Sequence, residues 1–343
     1  MKKLLNTLYI TKEDAYLTLD GETVCVHIGD EKIGQFPLHT LEGIVSFSFA
    51  GASPALMGKC ADMGIGIAFF SPYGKFLCRA VGRNHGNVLL RKEQYRISDS
   101  EDRSCLIARN FILGKLYNCR WNIDRTLRDH ELRVNASLCR SSINVHQNAI
   151  SKCKEIENLD SLRGIEGECA LSYFDIYDEL ILNQKDEFTF HGRSRRPPLD
   201  NVNAMLSFGY TMLANDCASA LEGVGLDSYV GFMHRDRPGR KSLALDLMEE
   251  LRPILVDRFV LTLINTRKIR GEHFEKQESG AVEMTGDGRK LFLAAWQEHK
   301  REEIIHPFLK DKIQWGLVPH AQALLLARHL RDDLDGYPPF LWK

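Results

Sequence analysis

Glu166 stands in GIEGECALSYFDIYDEL, residues 164–180, and counting onward from it in helical steps gives Ala170, Tyr173 and Tyr177. A carboxylate on so apolar a face is costly to take out of water unless a cation meets it. Two more stretches carry groups that could share that cation. In GFMHRDRPGRKS, His234 follows an apolar pair and precedes a loop bearing Arg235, Arg237, Arg240 and Lys241. In SLALDLMEELRP, Ser242 can cap a helix that carries Asp246, Glu249 and Glu250 at i, i+3 and i+4, hence on one side. Pro253 removes the hydrogen bond that the Glu249 carbonyl would accept, so a local bend is expected there. Two carboxylates and an imidazole suit a divalent ion. Oxygen ligands favour Mg²⁺ or Mn²⁺, and one neutral histidine nitrogen tilts the choice toward Mn²⁺. Three protein ligands leave positions open for water or phosphate oxygens, an arrangement suited to polarising a phosphodiester. Each residue also has a plain structural reading: Glu166 paired with a core arginine, His234 packed at an element's edge, Glu249 complementing a helix dipole.

These groups must be positioned by two kinds of structure. Residues 1 to about 90 read as β-rich. AYLTLDGETVCVHI alternates around Asp20-Gly21 as a hairpin does, DEKIGQFPL and GIVSFSF read as short strands, and IGIAFFSPYGKFLCRAV as two strands around Pro72-Tyr73-Gly74. SPALMGKCADMG between them predicts a short helix with Ser53 as cap and Pro54 following. From about 92 onward the apolar spacing turns to three and four residues, in SCLIARNFILGKLYNCRWNI, LRPILVDRFVLTLINTRKI, GRKLFLAAWQEHKREEI and VPHAQALLLARHLRDDL. The expected fold is α+β: a β-rich N-terminal domain, residues 1–92, followed by a larger all-α domain, residues 93–343.

Bulk properties exclude several classes. The 343 residues are 44% hydrophobic and 27% charged, ordinary for a globular chain of one or two domains. A formal net charge of -1 means that any polyanion must be held by local clusters. Nine scattered cysteines without a CxxC pair speak against a zinc ribbon or disulfide framework and for a reducing compartment. No run approaches ~18 apolar residues, and the apolar stretch after Lys2-Lys3 stops too early for a signal peptide. A cytoplasmic protein without membrane contact is expected.

Three blocks, LRGIEGECALSYF, FHGRSRRPPLDNVNAMLSFGYTMLANDCASALEGVGLDSYVGFMH and RPGRKSLALDLMEELRP, occur in the order shown by the CRISPR-associated endonuclease and integrase Cas1, the catalytic subunit of spacer acquisition, and the chain resembles that family. The middle block is most similar to members of type I systems. Carried over position by position, the resemblance makes Glu166, His234 and Glu249 the metal ligands, with Asp246 as a reserve carboxylate. Many relatives have Asp where this chain has Glu249. The activity implied is insertion of short DNA duplexes into a CRISPR array, a 3′-hydroxyl attacking a phosphodiester, with endonuclease activity where water attacks instead. The implied cofactor is Mn²⁺ or Mg²⁺. The implied partners are double-stranded DNA, a second copy of the chain joined through the N-terminal domain, and the small protein Cas2.

Arg193, Arg195 and Arg196, together with Arg235, Arg237, Arg240 and Lys241, are the expected phosphate-binding residues. Arg252 is read as pairing with a neighbouring carboxylate, Phe208 and Tyr210 as core, and His191 and Asn203 as loop and cap residues. His85 is unassigned. Two other functions remain open: a DNA-binding architectural subunit without chemistry, and a metallohydrolase of small phosphate esters.

Overall fold

A computed structural model of the protein describes residues 6–71, 76–80 and 88–343. The chain divides into two compact units. One spans Met1–His85, Met284–Glu303 and Gln314–Leu317, the other Gly86–Glu283, Ile304–Ile313 and Val318–Lys343.

In the first unit, β1 (Asn6–Ile10), β2 (Ala15–Asp20), β3 (Thr23–Ile28), β4 (Glu31–Pro37), β5 (Leu41–Ser46), α1 (Pro54–Asp62), β6 (Gly66–Phe70) and β7 (Phe76–Ala80) follow one another. β2, β3 and β4 form an antiparallel sheet, and the expected hairpin closes with Asp20 opposite Thr23 and Gly21 at φ +57°. β1, β5 and β6 run parallel, with β7 antiparallel on β6. The Pro72-Tyr73-Gly74 turn lies outside the described residues. Ser53 accepts the Leu56 N–H and Pro54 opens α1, as expected. Leu17, Val24, Leu38, Ile44, Leu56 and Ile67 are wholly buried in one core, each contributing about 1.5–3 kcal/mol of burial. The helix Gly286–Arg301, whose sequence reads as part of the helical half, belongs to this unit and packs against β1. Its apolar face, including Phe292 and Trp296, finds a sheet.

The second unit is built on α2 (Val88–Ser98), α3 (Glu101–His130), α4 (Ala136–Cys153), α5 (Leu159–Asp175), α6 (Asn201–Gly223), α7 (Ser242–Arg252), α8 (Arg258–Asn265) and a last helix, Val318–Leu330. Ser100, Asn135, Asn158 and Asp200 cap α3 to α6 by accepting backbone N–H groups three residues on. α3 runs through the middle, packed by α4, α5 and α7. Its buried face includes Phe111, Ile112, Lys115, Leu116, Cys119 and Ile123. Two details correct the sequence reading of α7. Lys241, not Ser242, is the N-cap residue, and Ser242 donates its hydroxyl to the Arg235 carbonyl at 3.2 Å. After Pro253 the chain widens into a π-helical turn, Pro253–Asp257, in which the Arg258 N–H reaches the Pro253 carbonyl and α8 continues. Short strands at Phe274–Lys276, Val282–Met284, Glu303–Ile305 and Lys312–Gln314 interrupt the otherwise helical half. Among the described residues no helix is long and apolar enough to cross a membrane.

Candidate metal and nucleic-acid site

α3, α5 and α7 each send one charged side chain to the same point. Lys115 of α3, only 1% exposed, donates to Glu166 Oε1 of α5 and lies 2.7 Å from Glu249 Oε2 of α7. On its other oxygen Glu249 accepts from Arg252 Nη1 at 3.2 Å, one turn along its own helix. Burial alone would push the Glu249 carboxyl up. The positive charges of Arg252 and Lys115 outweigh it and hold the group down at about 2. Glu249 is therefore an ionised carboxylate at 6% exposure. The cation that an apolar-faced Glu166 demands is present, and it is a lysine that the sequence reading passed over. The pairing read for Arg252 is also as expected. Gly164 and Gly167, on either side of Glu166 in sequence, lie in open space: a Cβ at either would meet nothing within 4 Å.

His234 approaches from the loop before α7. Its Nδ1 lies 2.6 Å from Asp246 Oδ1, and its backbone N–H donates to the same oxygen at 3.0 Å. Asp246 Oδ2 accepts the N–H groups of Phe232 at 2.6 Å and Met233 at 3.0 Å. The reserve-ligand reading of Asp246 is thus corrected: it is wholly buried, both its oxygens are engaged, and it orients the imidazole. With Nδ1–H donated to a carboxylate, the neutral ring carries its lone pair at Nε2, the usual arrangement behind a metal-binding histidine. Gly231 permits this packing, because a Cβ there would stand 2.8 Å from Asp246 Oδ2.

Among the described residues no three His, Cys, Asp or Glu side chains are already gathered tightly enough to share one ion. The donor chemistry nevertheless fits a hard or borderline divalent cation. Two carboxylates from different helices converge on one buried positive charge, and an imidazole aligned by a buried carboxylate stands on the loop that leads into the helix of Glu249. Beside His234 opens a cleft of about 310 Å³ whose lining includes Ser98, Asp99, Arg163, Met233, Arg235 and Asp236.

The arginines divide. Arg195 and Arg196 are exposed, as are Arg235 and Arg237, while Arg240 and Lys241 are half-buried. Arg193 is a correction. Its Nη1 donates to Asn203 Oδ1 and the Ser194 carbonyl, both at 2.5 Å, its Nη2 to Ser207 Oγ at 3.1 Å, and its guanidinium lies over the Tyr210 ring. Its donors brace its own loop rather than face solvent. Tyr210 lies under both Arg193 and Arg252, 5.2 Å and 5.5 Å from its centroid, and its hydroxyl reaches Asp257 Oδ1 at 2.5 Å. Phe208 is core and Asn203 belongs to the cap of α6, as expected. His191 is an exposed loop residue, and His85 lies outside the described residues.

Comparison with known proteins places this geometry in context. Residues 8–298 match the family model described as CRISPR associated protein Cas1. Over 343 residues the chain is 46% identical to CRISPR-associated endonuclease Cas1 1 of Chlorobaculum tepidum, covering 100% of both chains. Among solved structures it is similar to a casposase bound to integration product, with TM-score 0.83 at 21% identity, over 98% of this chain and 93% of that one. It is likewise similar to a Cas6-RT-Cas1–Cas2 complex, with TM-score 0.81 at 20% identity, over 100% of this chain and 36% of that one.

Proposed function

The chain belongs to the Cas1 family of CRISPR-associated endonucleases, and from that premise we propose that Glu166, His234 and Glu249 hold the divalent ion of a DNA endonuclease and integrase. The observation that carries this reading is the convergence of Glu166 and Glu249, from separate helices, on a single cation, beside an imidazole aligned by a buried aspartate. When bound, Mn²⁺ or Mg²⁺ would supply charge stabilisation at the phosphate oxygens. The protein's own groups do the rest. Asp246 fixes the His234 ring, Arg252 holds Glu249 ionised, and the exposed Arg195, Arg196, Arg235 and Arg237 offer charges to DNA phosphates. The attacking 3′-hydroxyl belongs to the DNA, so no protein nucleophile is required. The strand-rich first unit is assigned to dimerisation and the helical second unit to catalysis and DNA binding. Double-stranded DNA, a second copy and Cas2 are the partners, in the cytoplasm. The Cas2 assignment draws on the likeness to a complex that contains Cas2.

Strand transfer and nicking of supercoiled plasmid in Mn²⁺ or Mg²⁺ test this. Glu166→Gln, His234→Ala and Glu249→Gln should each abolish both reactions, while duplex binding stays within about tenfold. Full joining by any one of these variants removes that residue from the site. One observation favours a second reading, an architectural DNA-binding subunit: Lys115 already satisfies both carboxylates. That reading requires wild-type protein to bind duplex without nicking or joining it in either metal.

A further inference from the structure

Lys115 and the expected metal would use the same oxygens. Nζ touches the inward oxygen of each carboxylate, Glu166 Oε1 and Glu249 Oε2, and is enclosed on all sides. A divalent ion binds such oxygens at about 2.0–2.2 Å, closer than an ammonium does, so both cations cannot occupy this point together. The lysine head must have somewhere to go, and a buried acceptor lies on α4, which packs against both α3 and α5, the helices of Lys115 and Glu166. His146 of α4 is 0% exposed, its Nδ1 is taken by the Ser142 carbonyl at 2.8 Å, and its Nε2 has no hydrogen-bond partner among the described residues. An unsatisfied buried nitrogen is costly and uncommon in a folded protein. This one has its lone pair facing inward, because Nδ1 must be the donor to the carbonyl.

We propose that Lys115 is a built-in counter-cation that holds Glu166 and Glu249 in place before metal arrives, and that metal entry is a cation exchange in which the ammonium withdraws toward His146 Nε2. This rests on the metal reading above and adds to it two positioning residues, Lys115 and His146. The four-carbon stem of lysine has the freedom such a swing needs, and its compact ammonium can exchange one set of acceptors for another.

Two substitutions should move Mn²⁺ affinity in opposite directions. Lys115→Met removes the competitor and leaves two carboxylates to be met only by metal. Its dissociation constant for Mn²⁺, read by titration calorimetry or by the electron paramagnetic resonance of free Mn²⁺, should fall about tenfold or more. Its metal-free melting temperature should drop by about 5 °C or more and recover on adding Mn²⁺. His146→Phe removes the receiving acceptor, so Mn²⁺ should bind about tenfold more weakly while the metal-free protein melts no lower than wild type. Equal or weaker Mn²⁺ binding by Lys115→Met overturns the exchange, as does unchanged binding by His146→Phe. Should Lys115→Met fail to fold, ¹⁵N resonances of the wild-type lysine ammonium groups decide. A protected ammonium signal that shifts on Mg²⁺ saturation supports the exchange, and one that stays put overturns it. Metal-dependent nicking by wild type with no tightening in Lys115→Met sinks this inference alone. Wild type that binds no Mn²⁺ at all sinks the metal reading with it.

Discussion

His234 Nδ1 lies 2.6 Å from Asp246 Oδ1, and the other oxygen of that buried carboxylate holds the N–H groups of Phe232 and Met233. One aspartate therefore fixes both the loop and the ring it carries. Asp246→Asn cannot keep both. With its amide oxygen toward Phe232 and Met233, its NH₂ faces Nδ1, and the ring proton is driven to Nε2, where the ligand lone pair should be. With the amide reversed, two buried N–H groups lose their acceptor. The expected result is Mn²⁺ affinity reduced about 10–100-fold and stability reduced by about 1–3 kcal/mol. A metal titration beside a denaturant melt checks it. Wild-type values in both would mean that Asp246 orients nothing.

Gly231 guards the same packing from the other side. A Cβ on it would meet Asp246 Oδ2 at 2.8 Å and the Ser242 carbonyl carbon and Cβ at 2.9 Å, and the Ser242 backbone at the start of α7 is not free to give way. Gly231→Ala should destabilise the protein by about 1–3 kcal/mol through this overpacking and, by displacing Asp246, lower plasmid nicking. Unchanged nicking with unchanged stability would show that the loop has slack.

The site was legible in part because buried charge breaks a pattern. Glu166 announced itself as a carboxylate in register with Ala170 and Tyr173. Lys115 carries the same signal in α3, one turn from Phe111 and one from Cys119 on a buried face, and could have been found by the same counting. What the sequence could not show is which charges meet. Asp246, Glu249 and Glu250 share one side of α7, yet they face a histidine, a lysine with an arginine, and a tyrosine. Periodicity defines a face, not what is packed against it. The same limit explains why the helix Gly286–Arg301 read as part of the helical half, and why Arg193 passed for a surface charge. Its partners Asn203 and Ser207 lie ten and fourteen residues away, brought close only because the loop folds back on the start of α6.

That correction makes the two arginine roles separable. Charge reversal at Arg195 and Arg196, both exposed, should weaken duplex binding and flatten its salt dependence, since each lost phosphate contact reduces the slope of log K against log salt by about 0.9. Arg193→Ala should instead lower stability by about 1–3 kcal/mol, because Asn203 and Ser207 lose a charged donor, with the salt slope near that of wild type. Binding isotherms across a salt series, with a melt for each variant, distinguish the two. A slope unchanged on reversing Arg195 and Arg196 would return that loop to ordinary surface.

Glu250 sits next in sequence to a proposed ligand and behaves in the opposite way. Burial pushes its carboxyl up, and bonds from the Tyr337 hydroxyl, the Phe340 N–H and Gln322 only partly offset this, leaving it at about 7 against an ordinary 4.5. Between those two values the folded protein keeps a proton that the unfolded chain has released, so stability falls as pH rises through the interval, by about 3 kcal/mol in full. The favourable contribution is complete below 4.5 and lost above 7. Glu249, held down at about 2, contributes in the reverse sense and in a separate window: its stabilisation is present above 4.5 and is lost as pH falls toward 2. Asp257, pushed up by burial to about 6 from 3.8, adds a drift of the same sign as Glu250, so the wild-type curve alone does not isolate either group. The informative quantity is wild type minus Glu250→Gln. Glutamine costs stability at every pH, since its NH₂ faces either the Phe340 N–H or the Tyr337 and Gln322 donors, but it does not titrate. The advantage of wild type over Glu250→Gln, from urea melts between pH 4.5 and 8, should shrink by about 3 kcal/mol as pH rises. A difference that stays flat across that range would mean that Glu250 is ionised throughout, with its three donors outweighing burial.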